Sequence, residues 1–268
     1  GNHKTPLSLE ENTSSKYITF IERSQLVNGI VADTSGGRKY ALSAKSYFND
    51  MFTLGGAAYI GSANEDTAEG AGYGFVGRLT ASESRETYKM VHLGIGFGYD
   101  ERSDGGYNID GEPEIHPGSD ILETETGDWE SAFTWVAEAA AIHGPWAIQA
   151  EYASAKLEDG NTTADADADA WYIYGSYYFT GESRNYKWKK GSYSQTKVKN
   201  QLGKGGYGAW EGALRFASGD FENAGLPSPG ASEADIFTAG LNWYPIHNVR
   251  FSANYVNILD SSPLPDAE

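Results

Sequence analysis

Alternation of apolar and polar side chains is the feature that most constrains how this chain of 268 residues can fold. It recurs in ten segments, which lie near 39–48, 51–60, 73–81, 88–99, 129–142, 145–157, 169–180, 206–218, 235–244 and 249–258. Gly, Asp, Asn, Pro or Ser residues bound the segments. A period of two residues between such boundaries is typical of β-strands. The sequence therefore predicts an all-β, antiparallel fold with little helix.

The two faces of these predicted strands indicate what surrounds them. In one strand a whole face is large and apolar, while His92 and three glycines make up the other; the apolar set is Val91, Leu93, Ile95, Phe97 and Tyr99. Aromatic residues concentrate near strand ends, as in the girdles of membrane barrels; these are Trp135, Trp146, Trp171, Tyr177, Phe179, Trp210, Trp243 and Tyr255. The pattern favours a transmembrane β-barrel over a soluble sandwich, whose apolar face would be buried.

The connections between the predicted strands alternate in length. Short ones lie at 49–50, 82–87, 143–145 and 245–248, and long ones at 61–72, 100–128, 158–168 and 219–234. Short turns on one side and long loops on the other are expected of an outer-membrane barrel. The connection 181–205 departs from this pattern, because it is long yet falls on the short-turn side.

Composition excludes several other classes of protein. Lys and Arg number 20 against 37 Asp and Glu, a formal net charge of -17, so nucleic acid is a poor partner. The chain has no Cys, which removes disulfides and thiolate metal sites. No apolar run approaches the roughly 18 residues of a membrane-spanning helix. The His residues are isolated and no nucleophile elbow or acid pair is present, so we expect no enzyme, no metal centre and no cofactor.

The repeat Asp165-Ala166-Asp167-Ala168-Asp169 has two interpretations. Alternate carboxylates of an extended segment face the same side, where they could share a Ca²⁺ ion. A calcium loop normally also has a turn-forming Gly and a bidentate Glu, which are not suitably placed here. We therefore favour a solvated loop.

Four motifs occur in order along the chain: SLEENTSSKYITFIER at 8–23, TGESR at 180–184, GAWE at 208–211, and LNWY at 241–244 followed by NVRF at 248–251. With these motifs the chain resembles the phosphate-selective porins O and P, which are trimeric outer-membrane barrels of about sixteen strands. The resemblance implies a single porin β-barrel domain over 1–268. It also implies that about five strands before Gly1, and the closing strand, lie outside this chain.

The resemblance implies a function and a set of partners. The protein would lie in the outer membrane of a Gram-negative bacterium as a homotrimer, and small anions such as phosphate or polyphosphate would diffuse through it. Its other partners would be outer-membrane lipid and lipopolysaccharide. Two alternatives stay open, namely a general or cation-preferring porin and a soluble or surface β-structured protein that binds polysaccharide.

In this family the loop after the fifth strand folds into the barrel and narrows it with Lys and Arg residues. The corresponding segment is about 5–30, so the resemblance places the pore constriction at Lys4, Lys16 and Arg23. Lys4 is the first choice, because the family has a lysine at the end of the preceding strand. In the alternative, Lys16 and Arg23 only hold the loop by pairing with a nearby carboxylate of Glu10, Glu11 or Glu22.

A second basic feature is the connection 181–205, whose counterpart in the family folds into the lumen. Its seven cations are Arg184, Lys187, Lys189, Lys190, Lys197, Lys199 and Lys204. They would attract anions to one pore mouth, unless they form a solvated charge run that contacts lipopolysaccharide or a neighbouring subunit. Alternation places further charges on the lumen face, at Lys45, Arg78, Glu211, Arg215 and Arg250. We expect Arg215 to pair with Glu211, four residues away on the same face.

The connection 100–128 departs from the family, in which the corresponding loop is basic. It carries ten acidic residues against the single Arg102. Inside the vestibule such a loop would repel phosphate and favour cations. Outside the pore it would serve solubility, or bind divalent ions that bridge lipopolysaccharide.

Overall fold

The computed structural model describes residues 1–62, 72–86, 88–102, 109–111, 114–115, 122–123, 129–158, 165–223 and 232–261. The strands are β1 (Asn2–Lys4), β2 (Arg38–Phe48), β3 (Phe52–Ser62), β4 (Tyr73–Glu86), β5 (Lys89–Glu101), β6 (Asp110–Gly111), β7 (Leu122–Glu123), β8 (Ser131–His143), β9 (Trp146–Glu158), β10 (Asp165–Tyr178), β11 (Asn185–Lys187), β12 (Ser192–Ser194), β13 (Ala209–Asn223), β14 (Ser232–Ile246) and β15 (Val249–Ser261). Two short helices, α1 (Leu9–Asn12) and α2 (Gln25–Asp33), lie between β1 and β2.

Eleven of these strands form one antiparallel sheet, in the order β1-β2-β3-β4-β5-β8-β9-β10-β13-β14-β15. The ten strands predicted from alternation are all in this sheet, and β1 precedes them. The other four strands form two small hairpins, β6 with β7 and β11 with β12. The predicted antiparallel all-β fold is therefore confirmed.

Tight turns join the strands on one side of the sheet. Asn49 and Asp50, between β2 and β3, both have positive φ, at 54° and 49°. Gly144, between β8 and β9, has φ 58°. Positive φ matches the twist of two antiparallel strands, and Asn, Asp and Gly tolerate it best. These residue types thus account for the short connections that the sequence predicts here.

The outer face of the sheet is apolar and exposed. Leu93 and Leu214 are each 58% exposed, whereas their neighbours His92 and Arg215 are buried on the inner face. At the turn side, outward aromatic rings stack across neighbouring strands, with Trp210 and Trp243 centroids 5.6 Å apart and Trp243 and Phe251 centroids 5.4 Å apart. This arrangement fits a wall that faces lipid, with an aromatic girdle at its edge.

The inner face is covered by residues 5–37, which we call the inner segment. In α1, the Ser8 hydroxyl accepts a hydrogen bond from the Glu11 N–H at 3.1 Å. In α2, Val27, Ile30 and Val31 are buried in a cluster with residues of β8, β9, β10 and β13. Strand periodicity predicted neither helix, because helices this short are stable only through packing. No helix in the described part of the chain is long and apolar enough to cross a membrane.

Glycines of β5 make room for the inner segment. A Cβ atom at Gly96 would collide with the Leu7 carbonyl, and one at Gly98 would collide with the Ser35 side chain. The glycines on the inner face of β5 thus let the backbone of the inner segment approach the wall closely.

Residues 181–205, which we call the basic turn, also fold against the inner face. Tyr186 of β11 and Tyr193 of β12 are buried in one cluster with Leu9 of the inner segment and Met90 of β5. An inward fold of this connection is what the family resemblance implies. The basic turn and the inner segment therefore meet inside the curve of the sheet.

The prediction of a solvated loop at Asp165–Asp169 is wrong, because these residues begin β10. Ala166 and Ala168 are fully buried on the inner face, and the carboxylates face outward. Asp165 pairs with Lys156 at 3.0 Å, and Asp169 accepts a hydrogen bond from the Tyr152 hydroxyl. Alternation of Ala and Asp is itself a period of two residues, which is the strand pattern.

A charge on the outer face provides a test of the orientation of the wall. Leu214 lies four residues from Trp210, roughly 13 Å along the strand, and so near the middle of an apolar belt of roughly 25 Å. We expect Leu214→Lys to lower the free energy of unfolding by about 2–4 kcal/mol in lipid vesicles, measured by urea titration. Leu202→Lys, in the exposed part of the basic turn, is the matched control. Equal losses in both variants would contradict a lipid-facing position of Leu214.

Candidate functional site

Two of the three cations of the predicted constriction, Lys16 and Arg23, lie in the inner segment, and Lys4 ends β1 just before it. Lys4 pairs with Glu11 at 2.6 Å, and Arg23 pairs with the same carboxylate at 3.4 Å. Arg23 also donates to the carbonyl groups of Glu10 and Thr13. Lys16 is exposed and makes no ion pair within the described residues. The contact between Arg23 and Glu11 is one that the alternative interpretation describes, in which the cation only holds the loop. A pore constriction at Lys4, Lys16 and Arg23 stays a prediction.

Glu10 fastens the inner segment to the wall. Its backbone N–H donates to Glu151 Oε1 of β9 at 2.7 Å. Its carboxylate accepts a hydrogen bond from the Ser24 N–H at 3.1 Å and lies 3.8 Å from Arg215. Burial raises the pKa of Glu10, although Arg215 and the Ser24 N–H oppose this shift. The segment is thus held by charged groups that are out of contact with water.

The expected pairing of Arg215 with Glu211 is wrong. Arg215 instead pairs with Glu114 at 2.5 Å and donates to the carbonyl of Glu22 at 3.2 Å. Residues four apart on a strand are roughly 13 Å from each other, so the shared face does not bring them into contact. Glu211 accepts hydrogen bonds from Asn242 and from the Tyr244 hydroxyl.

Glu114 brings part of the acidic connection 100–128 into the interior. It is 3% exposed, and it also accepts a hydrogen bond from the Thr238 hydroxyl of β14. Ile109 is buried with the inner segment in the same apolar cluster. Most other acidic residues of this connection lie outside the described residues. At least one acid of the connection therefore neutralises a cation of the wall.

A buried polar network attaches the basic turn to the wall. Arg78 pairs with Glu138 at 2.7 Å and donates to the Gly191 carbonyl at 2.9 Å. His92 lies 3.0 Å from Glu138 through Nε2 and 2.6 Å from the Tyr186 hydroxyl through Nδ1. We assign the tautomer with a proton on Nε2, which donates to the carboxylate while Nδ1 accepts from the tyrosine. Burial raises the pKa of Tyr186, so its hydroxyl remains a donor. The network joins Arg78, His92, Glu138 and Tyr186, which are far apart in the sequence.

The lysines of the basic turn surround this attachment. Lys45 of β2 donates to the Lys190 carbonyl at 2.8 Å, and Lys189 lies over the Tyr47 ring at 5.1 Å from its centroid. The Lys199 side chain donates to the Gly181 carbonyl. Six lysines of the basic turn are exposed: Lys187, Lys189, Lys190, Lys197, Lys199 and Lys204. Attraction of anions by these lysines stays a prediction.

A cavity of about 510 Å³ lies between the inner segment, the basic turn and the turn that joins β14 to β15. We call it the anion pocket; its three cations are Lys16, Arg184 and Arg250. Arg184 donates to the Tyr174 hydroxyl and to the Tyr17 carbonyl, both at 2.8 Å. Across the described part of the chain, none of these cations forms an ion pair with a carboxylate. They differ in this from Arg78 and Arg215, which contact carboxylates directly. The carboxylate that borders the pocket is Glu211, which accepts a hydrogen bond from Tyr244 and attracts Arg184 without contacting it.

Comparison with known proteins identifies the family of this chain. A family model described as phosphate-selective porin O and P matches residues 1–260. The chain belongs to this porin family. Porin O of Pseudomonas aeruginosa is 26% identical over 285 residues, which cover 96% of this chain and 63% of that porin. An uncharacterized protein of Caulobacter vibrioides is 27% identical over 271 residues, which cover 95% of this chain and 52% of that protein. The chain thus spans less than two thirds of the length of each relative.

Membership of the porin family bears on one of the two alternatives above. The protein is located in the outer membrane of a Gram-negative bacterium, and the exposed apolar face of the sheet is the surface expected there. This location argues against a soluble protein that binds polysaccharide. The family also indicates a channel rather than an enzyme.

Proposed function

We propose that this chain contributes the wall and the selective interior of a porin through which small anions diffuse, with phosphate or polyphosphate as solutes. The observation that carries the proposal is the anion pocket, where Lys16, Arg184 and Arg250 have no carboxylate partner within the described residues. The description of the family as phosphate-selective porins supports the same solute class.

Charge pairing explains why this pocket matters more than the other cations. An arginine that contacts a carboxylate presents almost no net charge to an ion at some distance, as for Arg78 with Glu138 and Arg215 with Glu114. An unpaired guanidinium in a poorly solvated site attracts anions much more strongly. The exposed lysines of the basic turn would extend this positive field towards the turn-side mouth.

A general or cation-preferring porin is the second candidate, because several acids lie inside the sheet. Buried carboxylates on the inner side include those of Glu10, Glu11, Glu114, Glu138, Glu151 and Glu211. Glu211 forms no ion pair within the described residues, so an acid as well as the pocket cations lacks a partner of opposite charge in contact. The balance between these charges decides the selectivity.

Reversal potentials in planar bilayers under a KCl gradient test the proposal. We expect the full-length protein to favour chloride, and Arg184→Gln with Arg250→Gln to lower the chloride-to-potassium permeability ratio several-fold, because the pocket loses two unpaired charges. Lys156→Gln, on the outer face, is the control and should leave the ratio unchanged. Preference for potassium in the unmodified protein would favour the second candidate.

Lys4 provides a second comparison. The sequence-based hypothesis is that Lys4 and the cations of the basic turn, such as Lys189 and Lys190, set the anion preference. Because Lys4 pairs with Glu11, we expect Lys4→Gln to change the permeability ratio less than Arg250→Gln does. An equal or larger effect of Lys4→Gln would place the constriction at Lys4 instead.

We also propose, from the family resemblance, that the whole protein is a homotrimer that contacts outer-membrane lipid and lipopolysaccharide. The apolar outer face of the sheet is suited to contact with lipid or with a neighbouring subunit. Native mass spectrometry of the protein extracted in mild detergent would give the number of subunits. A monomer under conditions that keep the sheet folded would contradict the trimer.

A further inference from the structure

The anion pocket is larger than inorganic phosphate requires. Its volume of about 510 Å³ lies within the roughly 300–1,000 Å³ of sites that hold small organic molecules. A phosphate ion would occupy only a minor part of this space. A ligand that fills the pocket must therefore carry a larger body on its anionic group.

The walls of the pocket include aromatic surface as well as charge. Tyr17, Tyr178 and Tyr244 all line it, and the ring centroids of Tyr178 and Tyr244 are 6.2 Å apart. The hydroxyl of Tyr178 is bound to Thr196 at 2.8 Å, and that of Tyr244 is bound to Glu211 at 2.9 Å. Tyr178 is 1% exposed, so the ring surface left for a ligand belongs to Tyr17 and Tyr244, which are half-buried. Rings packed against a planar ligand favour offset or edge contacts.

Arg250 retains hydrogen-bond donors for an anionic group. Only its Nη1 has a protein acceptor among the described residues, the Ile18 carbonyl. The Nε and Nη2 groups have none, and they form one edge of the guanidinium plane. That edge matches two oxygens of a phosphate or a carboxylate in a bidentate contact.

We propose that the anion pocket binds organic anions in which a phosphate or carboxylate group is carried on an aromatic ring, and binds them more tightly than inorganic phosphate. The anionic group contacts Arg250, the buried charge of Arg184 adds attraction from the pocket wall, and the ring contacts Tyr17 and Tyr244. This inference rests on the proposed function, because it names the class of solute for the same anion path.

The test compares inorganic phosphate and phenyl phosphate as blockers of the chloride current through the full-length protein in planar bilayers. The pH is chosen so that both compounds are dianions, which leaves the ring as the main difference between them. We expect the half-blocking concentration of phenyl phosphate to be lower by about ten-fold, from burial of the ring and its contacts with tyrosines. Equal block by the two compounds, or stronger block by inorganic phosphate, would overturn the inference.

Variants locate the site of block. Tyr17→Ala should reduce the difference between the two compounds, and Arg250→Gln should weaken the block by both. Tyr255→Ala is the matched control, since Tyr255 lies on the same strand as Arg250 but faces outward, 65% exposed. If Tyr255→Ala reduced the difference between the half-blocking concentrations of the two compounds as much as Tyr17→Ala does, the role of the pocket tyrosines would be overturned.

Failure of this inference is distinguishable from failure of the proposed function. A chloride-selective current that both compounds block equally overturns the preference for aromatic anions and leaves the anion porin in place. A potassium-selective current that neither compound blocks overturns both.

Discussion

Arg215→Met is expected to lower the free energy of unfolding by about 3–5 kcal/mol, because it removes the cation from a buried charge pair. Arg215 is 1% exposed, and its guanidinium lies 4.3 Å from the Phe20 ring centroid while it contacts Glu114. Without the arginine, the Glu114 carboxylate has no compensating cation, and Glu10 also loses one. Urea titration of the protein refolded in lipid vesicles measures the change.

The double variant Arg215→Met with Glu114→Met separates charge from packing. Two apolar side chains in place of a buried ion pair are often close to neutral for stability, so the double variant should recover part of the loss. A double variant that is less stable than Arg215→Met would contradict a dominant role of the uncompensated Glu114 charge.

The same substitution should also change conduction. Arg215 donates to the carbonyl groups of Glu22 and Arg23, so it holds the inner segment against β13. We expect single-channel currents of Arg215→Met to fluctuate more than those of the unmodified protein, as the segment detaches and returns. Steady currents of unchanged size would show that the other contacts, such as that between Asn242 and the Thr19 carbonyl at 2.7 Å, hold the segment alone.

The strands, and which side chains lie on each face of the sheet, were predictable because alternation is a local property of the sequence. In β5, the apolar and small residues already separate the lipid face from the inner face. The same rule, applied to the Asp and Ala residues at 165–169, would have extended β10 to its observed start at Asp165. The five residues were predicted as a loop because Asp is frequent in loops, although their alternation has the period of two residues that is typical of a strand.

Contacts on the inner face were not predictable from spacing along the chain. Arg215 and Glu114 are 101 residues apart, and His92 and Tyr186 are 94 apart. Each pair forms only when a loop or turn folds across the sheet. The alternation of residues within a strand therefore cannot predict either pair. The resemblance supplied the inward folding of the basic turn. It did not supply the carboxylates that neutralise Lys4, Arg78 and Arg215, whereas the pairing of Arg23 with Glu11 is among the alternatives of the sequence analysis.

This difference changes which cations matter for selectivity. Counting Lys and Arg from the end of β1 through the inner segment points to Lys4, Lys16 and Arg23, but Glu11 contacts two of the three. Arg184 and Arg250 come from the basic turn and β15, and only the folded structure brings them together with Lys16. In the proposed function, selectivity depends on cations that lack a carboxylate partner, which a sequence count cannot identify.

Glu138→Gln is expected to have the second large effect, about 3–5 kcal/mol of lost unfolding free energy, because Arg78 loses its only carboxylate partner among the described residues. Gln keeps the shape of Glu, so the loss reflects charge rather than volume. His92 keeps an acceptor in the amide oxygen, but the hydrogen bond is no longer assisted by charge. Urea titration in lipid vesicles measures this loss.

Proteolysis separates this effect from a general loss of stability. Because Arg78 also holds the Gly191 carbonyl, Glu138→Gln should loosen the basic turn and speed trypsin cleavage after Lys187, Lys189 or Lys190 under native conditions. Glu158→Gln is the matched control, since Glu158 is an exposed carboxylate beside Lys156. Tyr186→Phe removes only the hydroxyl bound to His92 and should loosen the turn less than Glu138→Gln. Cleavage that is equally slow in all three variants would mean that the buried cluster of Leu9, Met90 and Tyr193 holds the turn without the polar network.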